Sequence, residues 1–500
     1  MSTVQLTLPT GRKVNQPTGL FIDNKFVPSV SGKTHETINP TTEEVICSVS
    51  VASEADIDIA VASSRKAFNT VWGRNAPAST RVHLLNRLAD LLERDAQELA
   101  ELEALDNGKP LQVALEGDIP DSVDCFRYYA GWADKITGQT IEIDDKGGKT
   151  AFTRHEPIGV CGQIIPWNYP IMMLAWKLAP AFAAGCTVVL KPSELTPLTA
   201  LKICELTVEA GFPPGVLNCV PSLGSVGGAA ISSHMDIDKV AFTGSTITGR
   251  KIMEAAAKSN LKKVTLELGG KSPHLIFESA DLDLAAEHAA GGILGNMGQD
   301  CVAGSRLYVQ SSIYDKFIAI LAKKFKETSS GFGDPFKKET TGGPLVSKVQ
   351  RDKVADFVKS GVDEGAKIVV GGTEHQGKGW YYYPTILADI RQDMKVVREE
   401  IFGPVVVVGK FDTEEEAIKL ANDTSYGLGS GLQSNDANQI MRVSSALQAG
   451  TVWINQYGVL SNAAPFGGYK QSGIGRELGS YALQEYTIVK TILWDYSGKA

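Results

Sequence analysis

Two apolar stretches of the sequence decide the fold class: Gly159-Val-Cys-Gly-Gln-Ile-Ile165 and Thr187-Val-Val-Leu-Lys191. Both are short and rich in β-branched residues, which favours strands. Charged, proline and glycine residues interrupt the apolar run 171–190, which predicts a helix followed by a strand rather than a membrane span. Repeated strand–helix units from 159 to 265 predict a doubly wound, Rossmann-like nucleotide-binding sheet. The other predicted elements of this region are strands at 217–220 and 240–243 and a helix at 196–210.

The alternation of helices and strands extends in both directions from this region. Amphipathic helices are predicted upstream at 52–68 and 80–105. A second α/β series after Lys271-Ser-Pro273 predicts a second domain. At the end of the chain, 487–494 predicts a strand that needs a free sheet edge, in its own chain or in another subunit. The second series has predicted strands at 306–310, 367–370, 405–410 and 451–455 and helices at 313–326 and 349–364.

Composition limits the classes of function. The chain has 500 residues and 43% hydrophobic residues, enough for more than one domain. The net charge of −8 argues against a general nucleic-acid binder, because no basic surplus exists to neutralise phosphates. The seven cysteines form no C-x-x-C pair, which predicts neither a metal site nor a disulfide scaffold. The N-terminus lacks an apolar signal segment, so we expect a cytoplasmic protein with no membrane partner.

Two segments carry candidate reactive groups. Cys301 lies among glycines and small residues in 296–306, where side chains shield it poorly. It is either an accessible nucleophile or one more small buried hydrophobic residue. Glu267 follows an apolar run and precedes a Gly-Gly turn. A desolvated carboxylate there would have a raised pKa and suit a general base, whereas the alternative is a surface or ion-paired glutamate.

Two further segments suit a dinucleotide. The turn at Gly244 and Ser245 follows a strand and opens a helix, whose N-terminus can hold a pyrophosphate. This turn lacks the full G-x-G-x-x-G pattern. Lys191 and Glu194 follow another strand, where an acid often holds a ribose hydroxyl and repels a 2′-phosphate. The alternative for Glu194 is an acid that complements the dipole of the helix that follows.

Taken in order, these segments closely resemble the aldehyde dehydrogenase superfamily, in particular its hydrolytic NAD-using branch. The resemblance runs from about Gln16 to Trp494, essentially the whole chain. It rests on seven motifs: Ile165-Pro-Trp-Asn-Tyr-Pro170, Lys191-Pro-Ser-Glu194, Phe242-Thr-Gly-Ser245, Glu267-Leu-Gly-Gly-Lys-Ser-Pro273, Gly298-Gln-Asp-Cys301, Glu399-Glu-Ile-Phe-Gly-Pro404 and Pro465-Phe-Gly-Gly-Tyr-Lys-Gln-Ser-Gly473.

The resemblance implies a role for each matching residue. Cys301 would attack an aldehyde, and the amide of Asn168 with the N–H of Cys301 would hold the oxyanion. Glu267 would activate the water that hydrolyses the resulting thioester, and Lys177 matches a lysine associated with proton relay. NAD is the implied cofactor. The residues implied to contact it are Ile165, Pro166, Trp167, Lys191, Glu194, Gly244, Ser245, Gln350, Glu400 and Phe402.

The resemblance also implies the domain layout. A Rossmann-like NAD-binding domain would comprise 1–137 and 158–269, and an α/β catalytic domain would comprise 270–473. A small β oligomerisation segment would combine 138–157 with 474–500. A terminal strand that pairs with a neighbouring subunit implies a homodimer or homotetramer.

The substrate side departs from the family pattern. Asp300 precedes the nucleophile where many relatives have a neutral residue, and Asp121 replaces what is apolar in several relatives. With Asp118 and the aromatic residues implied to line the substrate tunnel, these carboxylates could attract an amino- or ammonium-aldehyde. Alternatively, Asp118 and Asp121 cap a helix or point into solvent. The implied substrate contacts are Asp121, Tyr169, Met173, Trp176, Asp300 and Phe466.

Three rival functions stay open at this point. A CoA-acylating relative commonly lacks a base at the position of Glu267, so the glutamate argues against that activity. Glu194 argues against an NADP-using reductase. A catalytically silent structural protein with the same fold is disfavoured by the presence of Cys301, Glu267 and Asn168.

Overall fold

The computed structural model describes residues 2–143 and 147–497. Its first large sheet has eight strands, of which the five central ones are parallel. The chain builds this sheet outward from Val160–Ile164 in one direction and from Lys239–Thr243 in the other. The carboxyl ends of these two neighbouring strands therefore form the crevice where doubly wound sheets bind nucleotides. Across the sheet the strands are Gly473–Ile474, Lys263–Glu267, Lys239–Thr243, Val160–Ile164, Thr187–Lys191, Leu217–Cys219, Leu20–Ile22 and Lys25–Val27.

The second large sheet has seven strands and lies entirely within the later part of the chain. All neighbours in it are parallel except the first pair. Parallel strands are covered on both faces, which explains runs such as Val405–Phe411 with four consecutive valines. Across the sheet the strands are Lys367–Val370, Thr385–Ala388, Val405–Phe411, Arg306–Gln310, Pro273–Ile276, Gly429–Gln433 and Thr451–Ile454.

Helices cover both sheets. In the first part they are Glu54–Thr70, Ala78–Arg94, Ala96–Asn107, Leu111–Val113, Ile119–Ala130, Pro170–Ala184, Leu198–Ala210, Ala229–Ser233 and Thr246–Lys258. In the second part they are Leu282–Leu294, Tyr314–Ser329, Lys348–Asp363, Lys395–Arg398, Glu414–Asn422, Ala437–Ala446 and Tyr481–Glu485. Among these described helices, none is long and apolar enough to cross a membrane.

The terminal strand pairs with another strand of the same chain. Thr487–Asp495 pairs antiparallel with Lys149–Pro157, which pairs in turn with Thr140–Ile141. Two hairpins complete the described strands: Thr3–Thr7 with Lys13–Pro17, and Thr34–Ile38 with Val45–Ser50. The small sheet leaves Leu493 and Trp494 exposed, at 71% and 59% of their surface.

One predicted helix is wrong. The predicted helix 80–105 is two helices, Ala78–Arg94 and Ala96–Asn107, which meet at Asp95. The backbone of Asp95 leaves the helical region, and its carboxylate accepts two hydrogen bonds from Arg94, each 2.8 Å long. The apolar periodicity continues on both sides of Asp95, so periodicity alone did not reveal the break. The α/β fold with two parallel-type sheets is confirmed, whereas the domain boundaries stay a prediction.

Candidate active site

A cavity of about 520 Å³ lies where the first sheet faces the second part of the chain. The carboxyl ends of three neighbouring strands supply one side, through Pro166, Thr243 and Glu267. Loops around Cys301 and Glu400 supply the opposite side. The predicted site residues that line it are Asn168, Glu267, Cys301, Pro166, Trp167, Gly244, Ser245, Gln350, Glu400, Phe402, Asp121, Tyr169, Met173, Trp176, Asp300 and Phe466.

The loop that carries Cys301 is held rigidly in this wall. Asn296 and Met297 have left-handed backbones, with φ of 47° and 55°. The buried Gln299 side chain accepts from the Val346 N–H at 2.9 Å and so ties the loop to a second segment. Gly270 leaves room for the Cys301 carbonyl oxygen, which a Cβ at that position would hit. The turn that follows the strand Lys263–Glu267 is therefore in direct contact with the loop of Cys301.

Cys301 differs from the other cysteines in exposure. All seven cysteines fall within the described residues, and six of them are buried while Cys301 is partly exposed to the cavity. Desolvation of the thiol raises its pKa, and the negative charges of Asp300, Glu400 and Glu267 raise that pKa further. The resting group is therefore a protonated thiol that needs a proton acceptor before it can act as a nucleophile.

Glu267 is buried in the cavity wall, and its Oε2 has no hydrogen-bond partner among the described residues. Burial raises the pKa of its carboxyl, and the nearby Glu477 raises it further. Glu477 lines the same cavity and forms an ion pair with the buried Lys177. Lys177 also donates to Thr243 Oγ1 at 2.6 Å. The carboxyl group of Glu267 therefore lies beside the ion pair of Glu477 and Lys177.

Asn168 faces the nucleophile loop from the opposite side. Its Nδ2 donates to the Gln299 carbonyl oxygen at 2.9 Å, and the Asn168 carbonyl oxygen accepts from Asn296 at 2.8 Å. An amide nitrogen carries two N–H groups, so one fixes the orientation and the second stays free to bind an oxyanion.

The opposite end of the cavity presents groups suited to a dinucleotide. Ser245 caps the helix Thr246–Lys258, and the Thr246 Oγ1 beside it is buried without a partner among the described residues. Glu400 accepts from the Gly270 N–H at 2.9 Å. Phe402 has a positive φ of 61°, and Gln350 Nε2 donates to its carbonyl oxygen at 2.7 Å. Gln350 thus holds the Phe402 loop in place.

Comparison with known proteins decides the family. The family model described as "Aldehyde dehydrogenase family" matches residues 26–492. This chain belongs to the aldehyde dehydrogenase family. An Aspergillus niger aldehyde dehydrogenase is 55% identical over 487 residues, 97% of each chain. The NAD+ complex structure of an aldehyde dehydrogenase from Bacillus cereus has 51% identity and a TM-score of 0.94, with 96% of each chain covered. A Staphylococcus aureus betaine aldehyde dehydrogenase in complex with NAD+ has 41% identity and a TM-score of 0.94, covering 97% of this chain and 96% of that one.

Family membership confirms the enzyme class expected from the motifs, and the geometry refines the individual residues. Lys177 lies behind the cavity wall rather than in it, so it reaches the cavity through Glu477. Ile165, Lys191 and Glu194 also lie outside the wall of this cavity. Lys191 and Glu194 instead form an ion pair with a 3.3 Å contact at the end of the neighbouring strand.

Asp118 and Asp121 both line the cavity, and the Asp118 side chain makes no capping hydrogen bond to the helix Ile119–Ala130, where it occupies the N-cap position. Asp118 is buried and forms an ion pair with the buried Lys109. Asp121 Oδ2 accepts from Trp176 Nε1 at 2.9 Å. Asp300 Oδ2 accepts from the Tyr169 hydroxyl at 3.1 Å. The predicted substrate side is thus lined by carboxylates held by aromatic residues.

Sequence reasoning missed three charged residues in or beside the cavity wall. Glu477 and Lys353 line the cavity, and Lys109 lies behind Tyr169, with its ammonium 4.3 Å from the ring centroid. Lys353 lies one helical turn after Gln350, which is a usable sequence signal. Glu477 pairs with Lys177, which is 300 residues away in the sequence, and Lys109 pairs with Asp118 in the protein interior. No local sequence pattern reveals such contacts.

Replacing Asp300 tests the electrostatics of the nucleophile. We expect Asp300→Asn to shift the pH profile of Cys301 alkylation by iodoacetamide to lower pH, by about one pH unit. Burial would still raise the pKa of the thiol, but the like charge of Asp300, which raises it further, would be gone. Asp124→Asn, on an exposed position of the nearby helix Ile119–Ala130, is the matched control and should leave the profile in place. An unchanged or upward-shifted profile in Asp300→Asn would contradict this electrostatic role.

Proposed function

We propose that this chain oxidises an aldehyde to a carboxylate with NAD, through a thioester on Cys301. One observation supports this most strongly: Cys301, Glu267 and Asn168 share one cavity with the turn at Gly244 and Ser245. A nucleophile, a base, an oxyanion donor and an anion-binding helix terminus are the parts that this reaction needs.

The first chemical step forms a bond between Cys301 and the aldehyde. The Cys301 thiol gives its proton to solvent water, the resulting thiolate attacks the carbonyl carbon, and the carbonyl oxygen becomes an oxyanion. The Asn168 amide and the backbone N–H of Cys301 stabilise that oxyanion. Removing one such donor typically costs about 3 kcal/mol of transition-state stabilisation.

The groups at the opposite end of the cavity fit NAD. The N-terminus of Thr246–Lys258, with Ser245 and the partnerless Thr246 hydroxyl, suits a pyrophosphate. Glu400 and Phe402 line the same cavity as Ser245 and Cys301, and they would hold the nicotinamide ribose. When bound, NAD supplies the acceptor for the hydride that leaves the former aldehyde carbon. The structural relative from Bacillus cereus is an NAD+ complex, which supports the same cofactor here.

The second chemical step hydrolyses the thioester. Glu267 takes a proton from water, and the resulting hydroxide bonds to the acyl carbon. The C–S bond then breaks to give a carboxylic acid and the Cys301 thiolate. The acid passes its proton to the thiolate, so that the carboxylate leaves and the resting thiol is restored. Glu267 lines the cavity, and its buried Oε2 has no hydrogen-bond partner among the described residues. Glu477 and Lys177 are placed to pass the proton onward, because their ion pair lies beside Glu267.

Two finer features are part of this proposal. Glu194 would hold the adenosine ribose and repel a 2′-phosphate, giving NAD preference over NADP. Asp121 and Asp300, together with Trp176 and Phe466, would favour amino- or ammonium-aldehydes over neutral ones. A relative named as a betaine aldehyde dehydrogenase, at 41% identity, supports a cationic substrate within reach of this fold. A cytoplasmic location stays a prediction.

The test is NADH or NADPH formation with acetaldehyde, hexanal, benzaldehyde, 3-aminopropanal and 4-trimethylaminobutanal, each with NAD and with NADP. We expect turnover without added CoA, a higher kcat/KM with NAD, and a higher kcat/KM for the two cationic aldehydes. Absence of turnover with every aldehyde would favour the catalytically silent alternative. Turnover only when CoA is present would favour the acylating alternative.

We also propose that the small sheet makes a homodimer or homotetramer. Its terminal strand leaves Leu493 and Trp494 exposed on a sheet with a free edge, a surface that another copy would cover. Leu493→Asp should therefore lower the molar mass measured by light scattering from that of the oligomer toward that of one chain. Val362→Asp, at an exposed apolar residue of the helix Lys348–Asp363, is the control and should leave the mass unchanged. A wild-type protein of one chain mass would contradict the proposal.

A further inference from the structure

The peptide groups on either side of Asn168 are each held by a side-chain amide from elsewhere in the chain. The Nδ2 of Asn107 donates to the Trp167 carbonyl oxygen at 2.6 Å. The Nδ2 of Asn296 donates to the Asn168 carbonyl oxygen at 2.8 Å. A peptide group is planar, so a bond to its carbonyl oxygen restrains the orientation of the whole group. The backbone of Asn168 is therefore fixed between two restrained peptide planes.

The direction of the Asn168 side chain follows from this backbone. Its Nδ2 donates to the Gln299 carbonyl oxygen at 2.9 Å, which uses one of its two N–H groups. The second N–H is the one available to an oxyanion, and such a donor acts only within about 2.7–3.1 Å of the oxygen. A rotation of the peptide group between Trp167 and Asn168 would move that N–H out of range.

Asn107 is placed to prevent this rotation without touching the substrate. Its side chain is fully buried and does not line the cavity. Its Oδ1 has no hydrogen-bond partner among the described residues, which destabilises the folded state. A leucine, which has a similar size, would avoid that unpaired atom. What the amide contributes at this position is therefore the hydrogen bond to Trp167.

The chain around Asn107 supports the same segment a second time. The helix Ala96–Asn107 ends here, and the ammonium of Lys109 lies 4.3 Å from the centroid of the Tyr169 ring. The residues just before and just after Asn168 are thus contacted by one short stretch of backbone. Between the two contacts, Gly108 has a φ of 88°, and a Cβ at this position would collide with two proline rings. This stretch is therefore confined as well.

We propose that Asn107 is a positioning residue for the reaction at Cys301: through the Trp167 carbonyl oxygen, it sets the direction of the Asn168 N–H that binds the oxyanion. This inference rests on the proposed function, because the oxyanion belongs to the same reaction. Loss of the Asn107 amide should weaken the binding of the oxyanion, and it should leave the binding of NAD unchanged.

A trifluoromethyl ketone measures the oxyanion site without hydride transfer. The Cys301 thiol gives its proton to water, its sulfur bonds to the carbonyl carbon of 1,1,1-trifluoroheptan-2-one, and the π electrons of the carbonyl go to the oxygen. That carbon carries no hydrogen, so the adduct persists in the presence of NAD. Its ¹⁹F chemical shift, followed against pH, gives the pKa of the adduct oxygen. Stronger stabilisation of the oxyanion lowers this pKa.

The decisive variant is Asn107→Leu, which keeps the size of the side chain and removes the donor. We expect the pKa of the adduct oxygen to rise by about one pH unit and kcat/KM for hexanal to fall about tenfold, which express the same change in free energy. Asn168→Ala should raise that pKa further, because it removes the oxyanion donor itself. Asn107→Leu should add nothing in the Asn168→Ala background, because its effect passes through the missing amide.

Two further variants separate positioning from general damage. Asn107→Ala replaces Asn107→Leu if leucine is not accommodated, and it should raise the adduct pKa in the same way. Asn218→Leu is the matched control, since Asn218 is also fully buried and donates to a backbone carbonyl oxygen, that of Ala60, at 3.1 Å. Asn218 does not line the cavity. The control should lower the thermal unfolding midpoint and leave the adduct pKa unchanged.

The outcomes distinguish this inference from the proposed function. An unchanged adduct pKa in the Asn107 variants, an equal rise with and without the Asn168 amide, or no adduct on the wild type would overturn the inference. If aldehydes are nevertheless oxidised, the proposed function stands without it. If no aldehyde is oxidised but the adduct pKa responds as expected, the proposed function fails and the positioning role of Asn107 stands.

Discussion

Replacing Cys301 with alanine should abolish NADH formation from every aldehyde, with a loss of roughly 10⁵-fold or more, as expected when a covalent nucleophile is removed. The expectation follows from the structure of the cavity, where Cys301 is the thiol partly exposed between Asn168 and Glu267. The other six cysteines are buried and lie outside the residues that line this cavity. No second thiol of the described chain is therefore in a position to replace it.

The control measurements for this variant are its thermal stability and its binding of NAD. Removing one sulfur atom from a partly exposed position should leave the thermal unfolding midpoint and NAD binding, followed by fluorescence, close to those of the wild type. Loss of activity together with loss of NAD binding would indicate a damaged cavity. Substantial turnover by a correctly folded Cys301→Ala protein would exclude the thioester mechanism.

Glu267→Gln has the second largest expected effect, because it should stop the reaction halfway. The variant should form about one NADH per active site in a rapid burst and then turn over roughly 10²–10⁴-fold more slowly than the wild type. The amide keeps the size of the side chain but cannot take a proton from water. Intact-protein mass spectrometry should show the acyl group retained on Cys301, and hydroxylamine, which needs no base to attack a thioester, should restore turnover.

The same substitution should change the pH dependence. A base acts when deprotonated, and burial, with Glu477 beside it, raises the pKa of Glu267. The steady-state rate of the wild type should therefore rise as pH increases through that raised pKa. Glu267→Gln should lose this limb, whereas Glu116→Gln, at an exposed position, should keep it. A slow variant without a burst would place the role of Glu267 before thioester formation instead.

The sequence predicts the elements of this fold well wherever an element is short and apolar. The strands Thr187–Lys191, Arg306–Gln310 and Lys367–Val370 agree with prediction at both ends. They are bounded by polar or turn-forming residues, so their limits are visible in the sequence. The break at Asp95 was missed because the apolar face continues through it and only the backbone conformation changes.

Some features of the candidate site could also be predicted from the sequence, and others could not. Motif residues such as Asn168, Glu267 and Glu400 lie together in one cavity, as expected from their order in the chain. The charge balance of the cavity was not predictable, because it depends on pairs formed in three dimensions. Lys177 and Glu477 are 300 residues apart in sequence yet form one ion pair. Asp118 likewise looks available to bind a cation in the sequence, but in the structure its charge is neutralised by an ion pair with Lys109.

Because a single cysteine is exposed, the number of intact cavities in a preparation can be measured with a thiol-reactive label. An electrophile that enters the cavity meets one accessible thiol per chain, whereas six others are enclosed by the folded core. A fluorescent haloacetamide should therefore attach once to each intact molecule, and the amount of dye should equal the concentration of working sites in a preparation. Unfolded or misassembled molecules would take up more dye, so the same reagent would report the quality of a sample before any substrate is added.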